Sequence, residues 1–385
     1  MGTRGTGLEL ATRGSGLARR QARTVTQRLA ERRIGATLVE VETTGDQLSD
    51  ELINELGTTG AFVRSLDRRV LAGELDGAVH SIKDMPTEQP DELVVAAVLE
   101  RGSAADVLVT PDRTPLDGLP AGAVVGTSSP RRQAQLLARR PDLDIVGLRG
   151  NVGTRVERLL APTLQREHRR RLEAAGEFEG ADTDEETGES GGDTDTDGRE
   201  YEQTPEEWFD SLTETERRAL GRDVDTEYDA ICLAAAGLER TGLERGLATE
   251  RLDPRSFVPA PAQGAIAVTA VDGETADRIH DAIDHPPSRV AVTVERTVLA
   301  ELGGGRVAPV GVYARLQGSV VTTTARVLSR DGTEEHSATR ELPVERHAEA
   351  AAAFGADLAA DGAGKLVEQA KRTEPNEARR GGRDG

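Results

Sequence analysis

Lysine has almost vanished from this chain: Lys83, Lys365 and Lys371 are the only three among 48 basic residues, and arginine supplies the rest. Aspartate and glutamate number 68, so the net charge is −20. Such a surface repels itself in dilute buffer but not where salt screens charge, over about 3 Å at 1 M. We read it as adaptation to a high-salt cytoplasm, the alternative being an ordinary acidic protein with an acidic tail. The same surface excludes nucleic acid as a general partner, because a phosphate backbone needs basic patches. Cysteine occurs once, as Cys232, which excludes an internal disulfide and a thiolate metal cluster. No two histidines are spaced as a zinc pair, so no metal site is expected. No apolar run approaches the ~18 residues of a membrane span, and Met1 to Gly7 carry no apolar signal core. The expectation is a cytoplasmic protein with no membrane partner.

What is present is enough for packed cores. The hydrophobic share is 36%, and 385 residues exceed the ~250 to 300 at which a single core stops growing, so two or three domains are expected. From Leu8 short apolar runs alternate with amphipathic stretches, the pattern of an α/β sheet covered by helices. Strands are expected at Leu8 to Ala11, Thr37 to Val41 and Gly77 to Val79, with helices from Ser15 to about Arg33 and from Thr59 to Leu71. A second unit repeats the plan. Its strands lie at Val107 to Val109, Ala123 to Val125, Ile145 to Leu148 and Ala230 to Ala234, and Ser128, Ser129 and Pro130 give a cap and first-turn signal for a helix to Arg139. Between Leu160 and Glu227 the periodicity stops. The acidic tract Glu177 to Glu200 cannot bury enough apolar surface to offset its ordering entropy, and it reads as a disordered insert rather than a metal site. Strand Ala265 to Ala270 and helix Ala276 to Ile283 follow. A third unit holds a helix from Val290 to Leu302, a hairpin from Val310 to Leu328 and a helix from His347 to Lys371.

Arginines and hydroxyls gather where these strands end and helices begin, the crevice side of an open α/β sheet. Arg13 and Ser15 follow the first strand, Thr127 to Arg132 and Arg149 to Arg155 follow strands of the second unit, and Arg240 follows another. Helix N-termini add their own positive ends. A ligand with several negative charges is implied. Guanidinium forks suit carboxylates, and phosphates also fit. The segment HSIKDMP, beginning at His80, also follows a strand end. It holds Lys83, unusual in a chain that has abandoned lysine, and Asp84, a lone carboxylate placed to stabilise a transient positive charge. His80 itself reads as a packed residue, and Cys232, inside AICLAAAG, as a small core residue.

The runs Ala11-Thr12-Arg13-Gly14-Ser15, HSIKDMP from His80, VGTSSPRRQAQL from Val125, LRGNVGTR from Leu148, YDAICLAAAGLER from Tyr228, PAPAQGAIAV from Pro259 and VERTVLAELGGG from Val294 resemble hydroxymethylbilane synthase (porphobilinogen deaminase), here with a haloarchaeal-like composition. They occur in that family's order and span about Leu8 to Leu316. The resemblance implies two periplasmic-binding-protein-like α/β domains around a cleft plus a small C-terminal α+β domain. It places the first domain at 8–100 and 265–284, the second at 104–260 with a disordered acidic insert near 163–226, the third at 286–372, and a disordered tail at 373–385. It implies a transferase of porphyrin (haem) biosynthesis that condenses four porphobilinogens on a dipyrromethane cofactor with release of ammonia, acting as a monomer. Asp84 then matches the catalytic carboxylate. Arg13, Ser15, Lys83, Thr127, Ser129, Arg131, Arg132, Arg149, Arg155 and Arg240 match positions that bind the acetate and propionate groups of cofactor and substrate.

Two positions depart from the family pattern. Where the family carries its cofactor on a cysteine, LGGGRVAPVG has Arg306, and a guanidinium cannot replace a thiolate nucleophile. Thr59 stands where the family has a lysine in the loop before Ala61-Phe62-Val63. The alternative to a synthase is accordingly a non-catalytic tetrapyrrole- or polycarboxylate-binding relative that has lost the anchoring cysteine.

Overall fold

A computed structural model describes residues 7–41, 59–87, 89–176, 201–305 and 307–380. The first sheet has the order β2-β1-β3-β10-β4, built from β1 (Leu8–Thr12), β2 (Ala36–Glu40), β3 (Gly77–Ser81), β4 (Leu93–Val98) and β10 (Ile266–Val271). β1 runs parallel to β2 and β3, and β10 is antiparallel to both its neighbours. Helix α1 (Gly16–Glu31) covers it with Ala22, Val25 and Leu29, whose three- and four-residue spacing puts them on one face against Leu10, Val79 and Val268. Ser15 caps this helix by accepting from the Ala18 amide at 3.3 Å. Helix α2 (Thr59–Leu71) also packs on this sheet.

The second sheet repeats the plan in the order β7-β6-β8-β5-β9, from β5 (Asp106–Thr110), β6 (Val124–Gly126), β7 (Asp144–Val146), β8 (Ala230–Ala234) and β9 (Ala248–Arg251). Central strand β8 is buried on both faces, which is why AICLA is apolar without alternation. Ile231 and Leu233 join one core while Ala230 and Cys232 join the other. Helices α3 (Pro130–Arg139), α4 (Val152–Ala175) and α7 (Ala235–Thr241) flank the sheet.

The third domain is an antiparallel sheet of β11 (Val310–Gln317), β12 (Val320–Leu328) and β13 (Glu335–Pro343), packed on α9 (Pro286–Glu301), α10 (His347–Leu358) and α11 (Gly364–Arg380). The architecture is thus mixed α/β, with two sheet domains and a small C-terminal domain of sheet and helices. Helix α8 (Glu274–Ile283) closes the first domain.

Three readings of the sequence need correction. The stretch 163–226 is not one disordered insert: α4 continues to Ala175, and α5 (Pro205–Ser211) and α6 (Glu214–Leu220) follow. Capping boxes at Thr204/Glu207 and Thr213/Glu216 start these two short helices. Trp208 stacks on His168 at 5.7 Å, and Arg171 lies over Tyr201 and Trp208, so aromatic and cation–π packing stands in for an apolar stripe. The acidic tract 177–200 lies outside the described residues. The expected single helix 347–371 is broken at Ala359–Ala363, where Gly362 takes φ 117°. Its second half, anchored by Leu366, Val367 and Ala370, runs to Arg380, well into the expected tail, because extending a formed helix costs little.

Candidate active site

Two crossing segments, 99–105 and 258–265, join the first two domains. In the second, four consecutive residues each tie down a different part of the molecule. The Ala262 amide donates to Glu295 Oε2 of α9 at 2.6 Å. The Gln263 side chain donates to the Ala104 carbonyl at 2.7 Å and to Asp106 Oδ1 at 3.0 Å. The Gly264 carbonyl accepts from Arg240 Nη2 of α7 at 2.6 Å, and the Ala265 carbonyl accepts from the Ile82 amide at 3.1 Å. Gly264 sits at φ +86°, and a Cβ there would lie 2.5 Å from the Ser103 carbonyl oxygen, so only glycine lets the two crossings touch.

Ile82 opens the 3-10 turn Ile82–Asp84 that ends β3. The crossing therefore brings the Asp84 turn of the first domain and Arg240 of the second onto adjacent residues. On that turn Lys83 is exposed and Asp84 half-buried. Behind it, His80 is buried and its Nε2 lies 2.9 Å from Asp67 Oδ1 of α2 and 3.1 Å from Thr269 Oγ1, in keeping with a packed role. At the end of β1, Arg13 is half-buried and Ser15 exposed.

In the second domain, Ser128 Oγ donates to the Leu148 carbonyl at 2.8 Å and so binds the loop after β6 to the loop after β7. Thr127 is buried, and Ser129 caps α3. Gly150, at φ +106°, turns the chain into α4, which Asn151 caps at 3.0 Å. Arg149 on that loop is exposed. Arg155, half-buried, holds the Gly150 carbonyl at 2.7 Å and has no carboxylate partner among the described residues. Burial first, then repulsion from Arg132 and Arg158, pulls its guanidinium below the ordinary arginine pKa. A guanidinium crowded by other cations and without a carboxylate of its own among the described residues suits an anion.

Arg131 and Arg132, expected to hold ligand carboxylates, grip a carboxylate of the chain itself, that of Asp106. Arg131 Nη2 lies 2.6 Å from Asp106 Oδ2, Arg132 Nε lies 2.9 Å from Oδ1, and Asp106 is wholly buried. Arg131 Nη1 also donates to the Val258 carbonyl at 2.8 Å. Burial pushes the Asp106 carboxyl up, but the two guanidiniums outweigh it and hold the group below its usual value. A buried aspartate needs such partners, so these arginines fix the domain to its crossing segment. Asp106 and Arg101 lie in no motif that sequence reading singled out, and Gln263 and Glu295, though inside the runs PAPAQGAIAV and VERTVLAELGGG, were given no role. Only the burial of Asp106 at the head of an apolar strand could have signalled the need for a cation.

The family model described as "Porphobilinogen deaminase, dipyromethane cofactor binding domain" matches residues 8–166 and 215–278, and its C-terminal domain model matches 290–362. A probable porphobilinogen deaminase of Halobacterium salinarum is 51% identical, covering 95% of this chain and 98% of its own. One from Methanococcoides burtonii is 35% identical over 94% and 96%. The chain belongs to the porphobilinogen deaminase family. Residues 167–214, which hold α5 and most of the aromatic packing, fall outside the family match. A solved periplasmic substrate-binding protein from Coxiella burnetii aligns at 12% identity and TM-score 0.33, over 73% of this chain and 94% of its own, too slight a likeness to bear on the site.

The match covers the family's dipyrromethane-binding domain, and the half-buried cations suit the carboxylates of that cofactor. The donor set does not suit a thioether. Arg306 lies outside the described residues, but its side chain has no sulfur. The one thiol, Cys232, is fully buried in the second domain, where burial pushes it up to about 12. It is protonated at neutral pH and cannot attack.

Lysine at Arg149 or Arg155 keeps the charge and loses the fork, so each variant of this porphobilinogen deaminase relative should show KM for porphobilinogen raised by roughly tenfold or more. Full activity in both would remove them from ligand binding.

Proposed function

We propose that this chain is a hydroxymethylbilane synthase working in a salt-rich cytoplasm as a monomer, with porphobilinogen as its small-molecule partner. The carrying observation is the crossing segment that seats the Asp84 turn beside Arg240, with the uncompensated Arg155 in the same cation-lined domain. In each condensation the aminomethyl C–N bond of porphobilinogen breaks and ammonia leaves. The exocyclic carbon becomes an azafulvene-like cation, which the free α-carbon of another pyrrole attacks, forming a C–C bond and losing a proton. After four condensations the C–C bond at the first methylene carbon breaks, water gives its hydroxyl to that carbon, and the released pyrrole α-carbon takes up a proton. Asp84 is the carboxylate that stabilises the cation and accepts pyrrole N–H bonds. Arg13, Ser15, Lys83, Thr127, Ser129, Arg149, Arg155 and Arg240 hold acetate and propionate groups. Arg131 and Arg132 shape that surface through Asp106. The deaminase relatives support this reading over the non-catalytic alternative.

Porphobilinogen consumption with detection of hydroxymethylbilane tests this reading, and a mass spectrum of the intact protein tests the anchor. The unmodified chain should have its sequence mass and absent or very low turnover, because arginine stays protonated and cannot form the thioether. Arg306→Cys should add the mass of a dipyrromethane and raise turnover. An adduct on the unmodified chain would overturn the assignment of position 306. A cysteine variant that gains neither mass nor turnover would favour the binding-protein alternative.

A further inference from the structure

Arg296 stands one residue after Glu295 on α9, and the two reach different parts of the machinery. Glu295 is fully buried and serves the crossings: Arg101 pairs with both its oxygens, at 2.7 and 3.0 Å, while Ala262 and Ala314 amides donate at 2.6 and 2.8 Å. Arg296 crosses instead to the first domain. Its Nη1 lies 3.4 Å from the Ile82 carbonyl and 3.3 Å from that of Met85, and its Nη2 lies 2.5 Å from that of Pro86. These three carbonyls bracket Asp84.

A 3-10 turn of three residues leaves most of its carbonyls without intrahelical partners. Here one bond, from the Met85 amide to the Ile82 carbonyl at 3.0 Å, closes the turn. The five fixed donors of a guanidinium satisfy several carbonyls at once, which an ammonium does with less geometric control. Burial lowers the Arg296 pKa, and no carboxylate among the described residues pairs with it, so a partly buried cation is maintained here on backbone oxygens alone. A cation placed at that cost among backbone oxygens has a task other than charge balance.

We propose that Arg296 is the positioning residue for Asp84. The third domain, through this one side chain, sets the turn that presents the carboxylate to the cleft. The assignment rests on Asp84 being the catalytic carboxylate. Displacing a reacting group by about 1 Å costs as much as 10²-fold in rate, so the effect belongs in kcat rather than in KM.

The test uses the full chain in high salt with Arg296→Met and Arg296→Lys. Amide hydrogen exchange across residues 82–87 and thermal melting are read beside porphobilinogen kinetics. In Arg296→Met, exchange at the turn should quicken at least tenfold while exchange in β8 and β12 is unchanged. There kcat should fall by about 10²-fold with KM within twofold, and Arg296→Lys should recover part of both losses. Unchanged turn exchange in a folded Arg296→Met protein overturns the proposal, as does a loss confined to KM. Where the parent turns over too little to measure, the kinetics are read in the Arg306→Cys background; if that too is inactive the functional reading fails by itself, and exchange at the turn still decides whether Arg296 holds it.

Discussion

Asp84→Ala is expected to fold and melt like the parent while porphobilinogen turnover falls by roughly 10² to 10³, the loss seen when one preorganised electrostatic stabiliser is removed. The carboxylate is half-buried on a turn whose backbone is held from outside, by the Ala265 carbonyl and the Arg296 guanidinium, so the side chain is not needed to keep the turn. Its value lies in charge that develops only as ammonia leaves, and such an interaction lowers the barrier without tightening the ground state. KM should accordingly move little. Steady-state kinetics and a thermal melt of the same sample decide the matter, and turnover within a few-fold of the parent would remove Asp84 from the chemistry.

The second large effect is on stability. Asp106→Asn removes the carboxylate from beneath two buried guanidiniums and leaves both without a counter-ion, a change that costs about 3 to 5 kcal/mol for a broken buried pair. The melting temperature should drop by roughly 10 °C. The same group gives a pH signature. Because the folded carboxyl is held below its ordinary value, its contribution is fully present above the unfolded pKa of about 3.9 and fades as pH falls through the folded one. Below about pH 4, parent and variant should therefore converge in stability. A variant that melts with the parent at neutral pH would show that Arg131 and Arg132 are not structurally committed to Asp106.

Where local chemistry decides, the sequence is legible. Helix α2 and strand β8 fall at their expected residues, Ser15 and Ser129 cap the helices they precede, and the Asp84 turn lies at a strand end. Strand β13 was missed because it is an edge strand, mostly solvated, with Leu342 its one buried residue. The α5 and α6 helices were missed because their starts are written in capping boxes and not in apolar periodicity. In the site, residue type pointed to cations at strand ends, but not to which anion each one meets. Arg131 and Arg149 look alike in a motif, yet one is sealed against Asp106 and the other faces solvent. Arg296 and Glu295 were given no role within VERTVLAELGGG, because the carbonyls that Arg296 holds and the Arg101 that pairs with Glu295 lie nearly two hundred or more residues away.

The position of β10 also dictates an order of assembly. It is the fourth strand of the first sheet, wedged between β3 and β4, but it is synthesised after the whole of the second domain. Until residue 271 has left the ribosome, β3 and β4 have no strand between them and each presents unpaired backbone. The second sheet, whose strands all lie between 106 and 251, has its complete set well before that. The first domain to be translated is thus the later one to close, and the Asp84 turn acquires its Ala265 anchor only at that closing step.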